Sequence, residues 1–204
     1  FTGCYELSSG ENETSVDAGL YQLASIGDKV FNDTNANGIQ DQGENGVSGV
    51  TVRLFTCVNG MPGTQVGADK QTDANGNYSF TGLQPGEYVV QFVAPNGTIL
   101  SQANQGVDDA ADSDAGTGGF TGCYELSSGE NETSVDAGLY QLASIGDKVF
   151  NDTNANGIQD QGENGVAGVT VRLFTCVNGM PGTQVGADKQ TDANGNYSFT
   201  GLQP

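Results

Sequence analysis

The sequence predicts an all-β protein built from β-sandwich domains in tandem, and three observations carry this prediction. Phe1–Pro85 recurs as Phe120–Pro204, a period of 120 − 1 = 119 residues with one difference, Ser48 against Ala167. A period of this length corresponds to a whole small domain rather than to a solenoid unit. Apolar residues alternate with period two in short stretches separated by turn-forming residues, which indicates β-strands. No stretch shows a convincing helical period.

The predicted strands follow one another along a single repeat. In the first predicted strand Ile26, Asp28 and Val30 share one face, and in Val50–Phe55 the apolar Val50, Val52 and Leu54 alternate with the residues of the other face. Five further strands are expected at Thr64–Thr72, Asn77–Leu83, Glu87–Val93, Phe120–Leu126 and Ser134–Tyr140. Turns are predicted at 59–60, 73–76 and 84–86, because Asn, Asp, Gly and Pro suit the backbone angles of turns. Seven short strands in a repeat of 119 residues favour a sandwich.

The strand order also predicts the domain boundaries. One complete domain is expected at 24–142, with 1–23 supplying the last strands of a preceding repeat and 143–204 the first part of the next. The linker at 22–25 is very short, which favours a stiff rod over independent beads. The loop at 94–119 exceeds ordinary loop lengths, so we expect it to have a function of its own.

Composition limits the classes of function. The chain carries 25 acidic and six basic residues, no His, and a net charge of −19. Such a chain cannot neutralise a row of phosphates, so we expect no nucleic-acid partner. The absence of His removes the commonest general base and the usual zinc ligand, and we expect no enzymatic activity. No apolar run approaches the roughly 18 residues that span a bilayer, so membrane insertion is not expected. Oxygen-only coordination favours calcium.

Residues 33–44 match the loop pattern D-x-[DN]-x-[DN]-G-x₅-E at every fixed position. In this pattern six loop positions surround one calcium ion, the seventh residue through its backbone carbonyl and the ninth through water. The alternative is a turn that binds nothing. The flanks are predicted strands, so a sensor with an opening helix pair is not expected. The predicted ligands are Asp33, Asn35, Asn37, Ile39, Asp41 and Glu44, and in the second copy Asp152, Asn154, Asn156, Ile158, Asp160 and Glu163.

A second acidic cluster lies in the long loop. Its carboxylates belong to Asp108, Asp109, Asp112 and Asp114, with no basic neighbour. This pattern fits either a second cation site or a solvated acidic loop. A weaker candidate at 73–77, with Asp73, Asn75 and Asn77, is better explained by an Asx turn.

Several motifs taken together resemble the B repeats of serine-aspartate repeat surface proteins. They are Ile26-Gly27-Asp28 with the loop at 33–44, the segment Thr72–Leu83, Asp112-Ser113-Asp114, and Val135–Leu139. The resemblance covers the whole repeat. It implies a calcium-binding, prealbumin-like (immunoglobulin-like) sandwich of the collagen-adhesin B type. It also implies tandem stalks outside the bacterial cell, at the cell surface or secreted.

The topology implied by this resemblance bears on the cysteines. It places the strand at 87–93 between Cys57 and Cys123, so that their backbones lie about 9.6 Å apart, two strand spacings. That separation exceeds the reach of a disulfide. The resemblance therefore favours the interdomain pairs Cys4–Cys57 and Cys123–Cys176. The alternatives are Cys57–Cys123 within one domain and disulfides between chains.

The resulting functional expectation is structural. We expect a repeat of a calcium-stiffened extracellular rod or filament on or outside a bacterial cell. Its expected partners are neighbouring repeats of the same chain and, in a filament, identical chains. The alternative is a stalk or binding module of a surface adhesin that engages host or matrix ligands.

Overall fold

The computed structural model describes residues 4–204, and this part of the chain is all β apart from one 3₁₀ turn at Thr117–Gly119. The predicted fold class is confirmed. The strands are β1 (Ala24–Ile26), β2 (Val30–Asn32), β3 (Thr51–Val58), β4 (Met61–Gln65), β5 (Lys70–Gln71), β6 (Phe80–Leu83), β7 (Gly86–Val93), β8 (Ile99–Leu100), β9 (Tyr124–Leu126), β10 (Asn131–Glu132), β11 (Ala137–Tyr140), β12 (Ala143–Lys148), β13 (Thr170–Val177), β14 (Met180–Gln190) and β15 (Asn196–Leu202).

Strands β1 to β11 form a two-layered sandwich. One layer has the order β4-β3-β7-β9, with β5 also paired to β3. The other layer comprises the short sheets β10-β1-β6 and β2-β11-β8. Both contribute to a single core, in which Ile26, Leu54 and Phe92 are at most 1% exposed. Burying an apolar side chain of this size stabilises the fold by ~1.5–3 kcal/mol.

Two parallel strand pairs join the two ends of the sandwich sequence. Ser25 in β1 lies opposite Asn131 in β10, and Val30 in β2 lies opposite Ala137 in β11. These pairings connect residues more than 100 positions apart, so the N-terminal strands are completed only by the C-terminal ones. Tyr78 adds a polar connection between the two short sheets of one layer, because its buried hydroxyl, just before β6, donates to the Val135 carbonyl, just before β11, at 2.7 Å.

The structure modifies several predicted strands. The expected strand 26–31 is interrupted between β1 and β2, and 64–72 is split into the end of β4 and the two residues of β5. The expected strand 120–126 is regular only over β9, while Phe120 makes an isolated bridge to Gln91. Strands β8 and β10 are additional, and each contains only two residues.

The disulfide joins Cys57 to Cys123, with the Cα atoms 5.9 Å apart, which corrects the predicted pairs Cys4–Cys57 and Cys123–Cys176. Strand β7 does lie between the two cysteines, but the ladder on its β9 side is irregular. Phe120 is bridged to Gln91, and Tyr124 pairs with Tyr88. The chain advances 124 − 120 = 4 residues between these two pairings, whereas β7 advances only 91 − 88 = 3, so the β9 side contains one extra residue. Such a bulge kinks and twists the strand. The spacing of a flat sheet therefore does not apply at Cys123. Cys4 and Cys176 are free and exposed.

Strands β12 to β15 repeat the pairings of β1, β3, β4 and β6. β12 pairs with β15 as β1 pairs with β6, and β13 pairs with β14 as β3 pairs with β4. Residues 4–23, by contrast, contain no strand. No helix in residues 4–204 is long and apolar enough to cross a membrane.

Candidate metal centre

The loop at 33–44 follows β2 and holds its terminal carboxylates through backbone N–H groups. Asp33 is fully buried, and its two oxygens accept the N–H groups of Asn37 at 3.1 Å and Gly38 at 2.7 Å. Glu44 is also buried, and its oxygens accept the N–H groups of Thr34 at 2.7 Å and Asp41 at 3.0 Å. The Thr34 hydroxyl also donates to Glu44 Oε1 at 2.9 Å, so this oxygen accepts two hydrogen bonds, whereas each Asp33 oxygen retains a lone pair for a cation.

The middle of the loop brings three more predicted ligands into contact. Asp41 Oδ2 accepts hydrogen bonds from the side-chain amides of Asn35 and Asn37, each at 2.9 Å. Asn37 Oδ1 in turn accepts the Ile39 N–H at 2.8 Å. The turn itself requires Gly38, which has φ +79° and lies against the Gln102 carbonyl, 2.4 Å from where a Cβ would stand. Hydrogen bonds thus fix the side chains of the loop, but in residues 4–204 its three carboxylates, Asp33, Asp41 and Glu44, do not come within 4.8 Å of one another as a group.

The second copy of the loop forms the same network. Asp152 Oδ2 accepts the Gly157 N–H at 2.8 Å, and Glu163 accepts the N–H groups of Thr153 and Asp160 at 2.7 and 3.1 Å. Because 143–204 lacks a counterpart of the long loop, this geometry comes from the loop sequence alone. The side-chain amides of Asn154 and Asn156 each donate to Asp160 at 2.8 Å, and Ile158 is 62% exposed.

Three of the four carboxylates predicted in the long loop come together. Oxygens of Asp109, Asp112 and Asp114 lie within 4.8 Å of one another. Asp112 and Asp114 are buried, and Asp112 Oδ1 has no hydrogen-bond partner. Asp108 stands outside this group, and its carboxylate accepts the Ala110 N–H at 3.3 Å. A buried carboxylate oxygen without a donor fits a site that completes its coordination with a cation.

The two predicted motifs pack directly against each other. Ile39 makes an antiparallel bridge to Asp112, the Gln40 N–H donates to the Ala111 carbonyl at 2.7 Å, and the Ser113 N–H donates to the Gly38 carbonyl at 2.9 Å. The sequence pattern gave no indication of this contact, which joins segments about 70 residues apart. Loop and cluster therefore lie side by side, and we refer to the two together as the acidic centre.

Two carboxylates next to this centre, Asp28 and Asp136, were not among the predicted ligands. Asp136 is 1% exposed, and its Oδ2 has no hydrogen-bond partner. Burial, reinforced by the charge of Asp28, raises the pKa of Asp136 to about 8. Burial likewise raises the pKa of Asp114 to about 6, and Asp114 also accepts the Asp136 N–H at 2.7 Å. An Asp inside the apolar run Val135-Asp136-Ala137 was the available sequence signal.

The pKa of Asp28 is raised by burial, and so is the pKa of Asp112, with the charges of Asp109 and Asp108 adding to the effect. These raised values show that the uncompensated negative charge is unfavourable in this part of the fold. A divalent cation coordinated by oxygen would relieve it, and the donor set of carboxylates, amide oxygens and a carbonyl suits a hard ion such as Ca²⁺.

The third candidate, at 73–77, behaves as an Asx turn. Asp73 Oδ1 accepts the N–H groups of Asn75 at 2.8 Å and Asn77 at 2.9 Å. These hydrogen bonds lower the pKa of Asp73, the bond from Asn77 having the largest effect. Its negative charge is therefore stabilised by the turn itself.

Comparison with known proteins connects this architecture to one family. The SdrD B-like domain family matches residues 24–139 and 143–204. Serine-aspartate repeat-containing protein F of Staphylococcus epidermidis is 38% identical over 200 residues, which cover 97% of this chain and 11% of that protein. Serine-aspartate repeat-containing protein D of Staphylococcus aureus strain Newman is 39% identical over 197 residues, which cover 95% of this chain and 14% of that protein.

Solved structures also align with the chain at lower similarity. A streptococcal ancillary pilin aligns with a TM-score of 0.41 and 17% identity, covering 89% of this chain and 51% of that one. GBS52, a minor pilin of Streptococcus agalactiae, aligns with a TM-score of 0.34 and 13% identity, covering 89% of this chain and 79% of that one. The chain itself spans 11–14% of the two curated relatives it matches.

Proposed function

Because the chain belongs to the SdrD B-like domain family, we propose that it is a calcium-stiffened stalk segment of a bacterial protein, located outside the cell at its surface or secreted. The near-identity of the repeats and the very short linkers support a role as a spacer, in which length and stiffness matter. The absence of His from the sequence favours this structural role over catalysis.

Calcium binding is supported above all by the acidic centre. Backbone N–H groups of the loop at 33–44 fix the carboxylates of Asp33 and Glu44, and the segment with Asp109, Asp112 and Asp114 lies against this loop. The raised pKa of Asp114 and the unpartnered oxygen of Asp112 indicate that this arrangement is unfavourable without a positive charge. One or more Ca²⁺ ions held by these residues would turn mutual repulsion into a cross-link between the two loops.

The position of the centre explains how an ion would stiffen the stalk. The Asp33 N–H donates to the Leu139 carbonyl at 2.9 Å, so the calcium loop begins beside the last strand of the sandwich. Strand β12 of the next repeat starts only four residues later, at Ala143. The Gln203 side-chain amide donates to the Tyr140 hydroxyl at 3.2 Å, which is a contact between the two repeats beside this connection. Ordering the loop would therefore restrict the junction as well as the domain.

The test is equilibrium unfolding in calcium and in excess chelator. A ligand that binds only the folded state at 100 times its Kd stabilises it by about 2.7 kcal/mol. We expect calcium to raise the unfolding midpoint, and Glu44→Gln to reduce that increase because it removes a carboxylate ligand. Glu87→Gln is the matched control, since Glu87 is exposed on β7 away from the centre. Unfolding curves that coincide in calcium and in chelator would contradict the proposal.

A further inference from the structure

The sequence contains nine Asn-Gly dipeptides, and the fold places them in two kinds of environment. Asn followed by Gly is especially prone to spontaneous loss of the side-chain amide, because Gly has no side chain to hinder the approach of its backbone nitrogen. The sequence alone would therefore give all nine the same reactivity. They are 37–38, 45–46, 59–60, 75–76, 96–97, 156–157, 164–165, 178–179 and 194–195.

The reaction takes place within the dipeptide and needs only water. The Gly backbone nitrogen attacks the side-chain carbon Cγ of Asn, its proton is transferred to the side-chain nitrogen, and ammonia leaves. Water then opens the cyclic imide at either of its carbonyl carbons. The products are Asp and isoaspartate, and each adds a negative charge to the chain. A hydrogen bond from the Gly N–H, or close packing that prevents the backbone from rotating, opposes the attack.

Hydrogen bonds hold the two dipeptides that lie inside the predicted calcium loops. The Gly38 N–H donates to Asp33 Oδ2 at 2.7 Å. The side-chain nitrogen of Asn37 donates to Asp41 Oδ2 at 2.9 Å. The equivalent hydrogen bonds at 156–157 both measure 2.8 Å. The attacking nitrogen and the leaving nitrogen are therefore both engaged, and each would have to give up a hydrogen bond to a carboxylate before it reacts.

Close packing holds four more of the dipeptides. Gly46 lies against the Asn75 carbonyl oxygen, which is 1.7 Å from where a Cβ on Gly46 would stand. The Gly76 N–H donates to the Asp73 carbonyl at 3.0 Å. The dipeptides 45–46 and 75–76 therefore pack against each other, and neither backbone can rotate without displacing the other. The same contacts hold 164–165 and 194–195 in the second repeat.

The remaining three dipeptides lie in open turns. Residues 59–60 and 178–179 connect the hairpins β3-β4 and β13-β14, and 96–97 lie between β7 and β8. All six residues are exposed. Within residues 4–204 the three Gly N–H groups donate no hydrogen bond, and a Cβ on any of these glycines would meet no atom within 4 Å. Neither hydrogen bonding nor packing therefore opposes the attack in these turns.

We propose that the folded chain deamidates selectively at Asn59, Asn96 and Asn178. The surface turns then acquire negative charge with time, whereas Asn37 keeps the neutral amide oxygen that is predicted to bind the ion. An isoaspartate at Asn37 would insert an extra backbone atom into the turn that Gly38 makes. The fold thus directs this chemistry to turns outside the acidic centre. The inference depends on hydrogen bonds and packing and not on calcium, so its failure would leave the calcium proposal unaffected.

Peptide mapping after incubation at mildly alkaline pH tests the proposal. The folded chain is kept in excess chelator, so that calcium protects neither loop, and each dipeptide is followed by the mass increase from amide to carboxylic acid. We expect Asn59, Asn96 and Asn178 to react at least tenfold faster than the other six. In urea with a reducing agent this difference should disappear, because every site is then an unfolded Asn-Gly. Equal rates at all nine sites of the folded chain would overturn the proposal.

The two repeats provide a matched control for the hydrogen bond in the calcium loop. Asp33→Ala removes the acceptor of the Gly38 N–H, so Asn37 should react at least tenfold faster in the folded chain. Asn156 lies in the unaltered loop of the same molecule and should stay slow, as should Asn75 in the altered domain. An unchanged rate at Asn37, or an equal acceleration at Asn75, would overturn the assigned protection.

Trypsin distinguishes the two loops despite their identical sequences. Cleavage after Lys and Arg releases 30–53 from the first repeat and 149–172 from the second. These peptides differ at Ser48 and Ala167, so the two rates are measured separately in one digest. The reciprocal variant Asp152→Ala should exchange the result between the loops, and acceleration of the same loop by both variants would contradict the inference.

Discussion

The Cys57–Cys123 disulfide permits the most quantitative prediction. It joins residues 66 positions apart and therefore restricts the unfolded chain strongly. In the chain-entropy description, closing a loop of this length removes about 15 cal/mol/K, or about 4 kcal/mol at 25 °C. Cys57 is half-buried and Cys123 exposed, so replacing both with Ser should remove little packing. The double variant should lose most of that free energy of unfolding.

The assay is guanidinium unfolding of the double variant Cys57→Ser/Cys123→Ser at a fixed calcium concentration. The control is Cys4→Ser/Cys176→Ser, which removes two exposed free thiols and should leave the midpoint within error of the wild type. A reducing agent should destabilise the wild type and the control but not the first variant. Equal midpoints for the two double variants would refute the assigned pairing, and recovery of Cys4 linked to Cys57 would restore the interdomain alternative.

Three further predictions concern the acidic centre and the core. Asp114 and Asp136 have raised pKa values in the folded state, so the protonated forms of both side chains favour folding. This stabilisation is complete below pH about 4, and it is lost as the pH rises through about 6 for Asp114 and about 8 for Asp136. Denaturant unfolding in chelator should therefore give midpoints that increase from pH 8 to pH 5, and saturating calcium should reduce or reverse this trend. Asp112→Asn removes one of three crowded carboxylates, so it should stabilise the calcium-free chain but weaken the response to calcium, as thermal scans in both conditions can show. Tyr78→Phe leaves the Val135 carbonyl without its donor and should cost about 1–3 kcal/mol in urea unfolding, whereas equal stability would contradict the assigned hydrogen bond.

The local sequence was sufficient to predict those elements whose structure depends on residues close together in the chain. The alternation in Val50–Phe55 predicted the two faces of β3, and Val52 and Leu54 are indeed buried. The loop at 33–44 folds in the same way in both copies because its hydrogen bonds lie within about ten residues of sequence. The acidic loop was partly predictable, since charge density identified Asp109, Asp112 and Asp114 but could not exclude Asp108.

Contacts between distant segments could not be predicted from the sequence. Strands β8 and β10 have two residues each, too few for any periodicity, and both form because longer strands provide edges. The bridge from Ile39 to Asp112 depends on how the long loop crosses the sandwich. The disulfide depends on a bulge before β9 that a topology of regular strands does not contain. In each case the missing information is a contact between segments that are distant in the sequence.

Small-angle scattering in calcium and in excess chelator tests the central claim, that calcium stiffens this stalk, most directly. The Cys4→Ser/Cys176→Ser variant should be used at low concentration, so that no disulfide between copies contributes. In calcium we expect a narrow distribution of interatomic distances that one rigid arrangement of the repeats reproduces. In chelator the distribution should broaden while circular dichroism still shows folded strands, because the junction beside Asp33 and Tyr140 loosens before the sandwich unfolds. Identical scattering curves in the two conditions would contradict the claim.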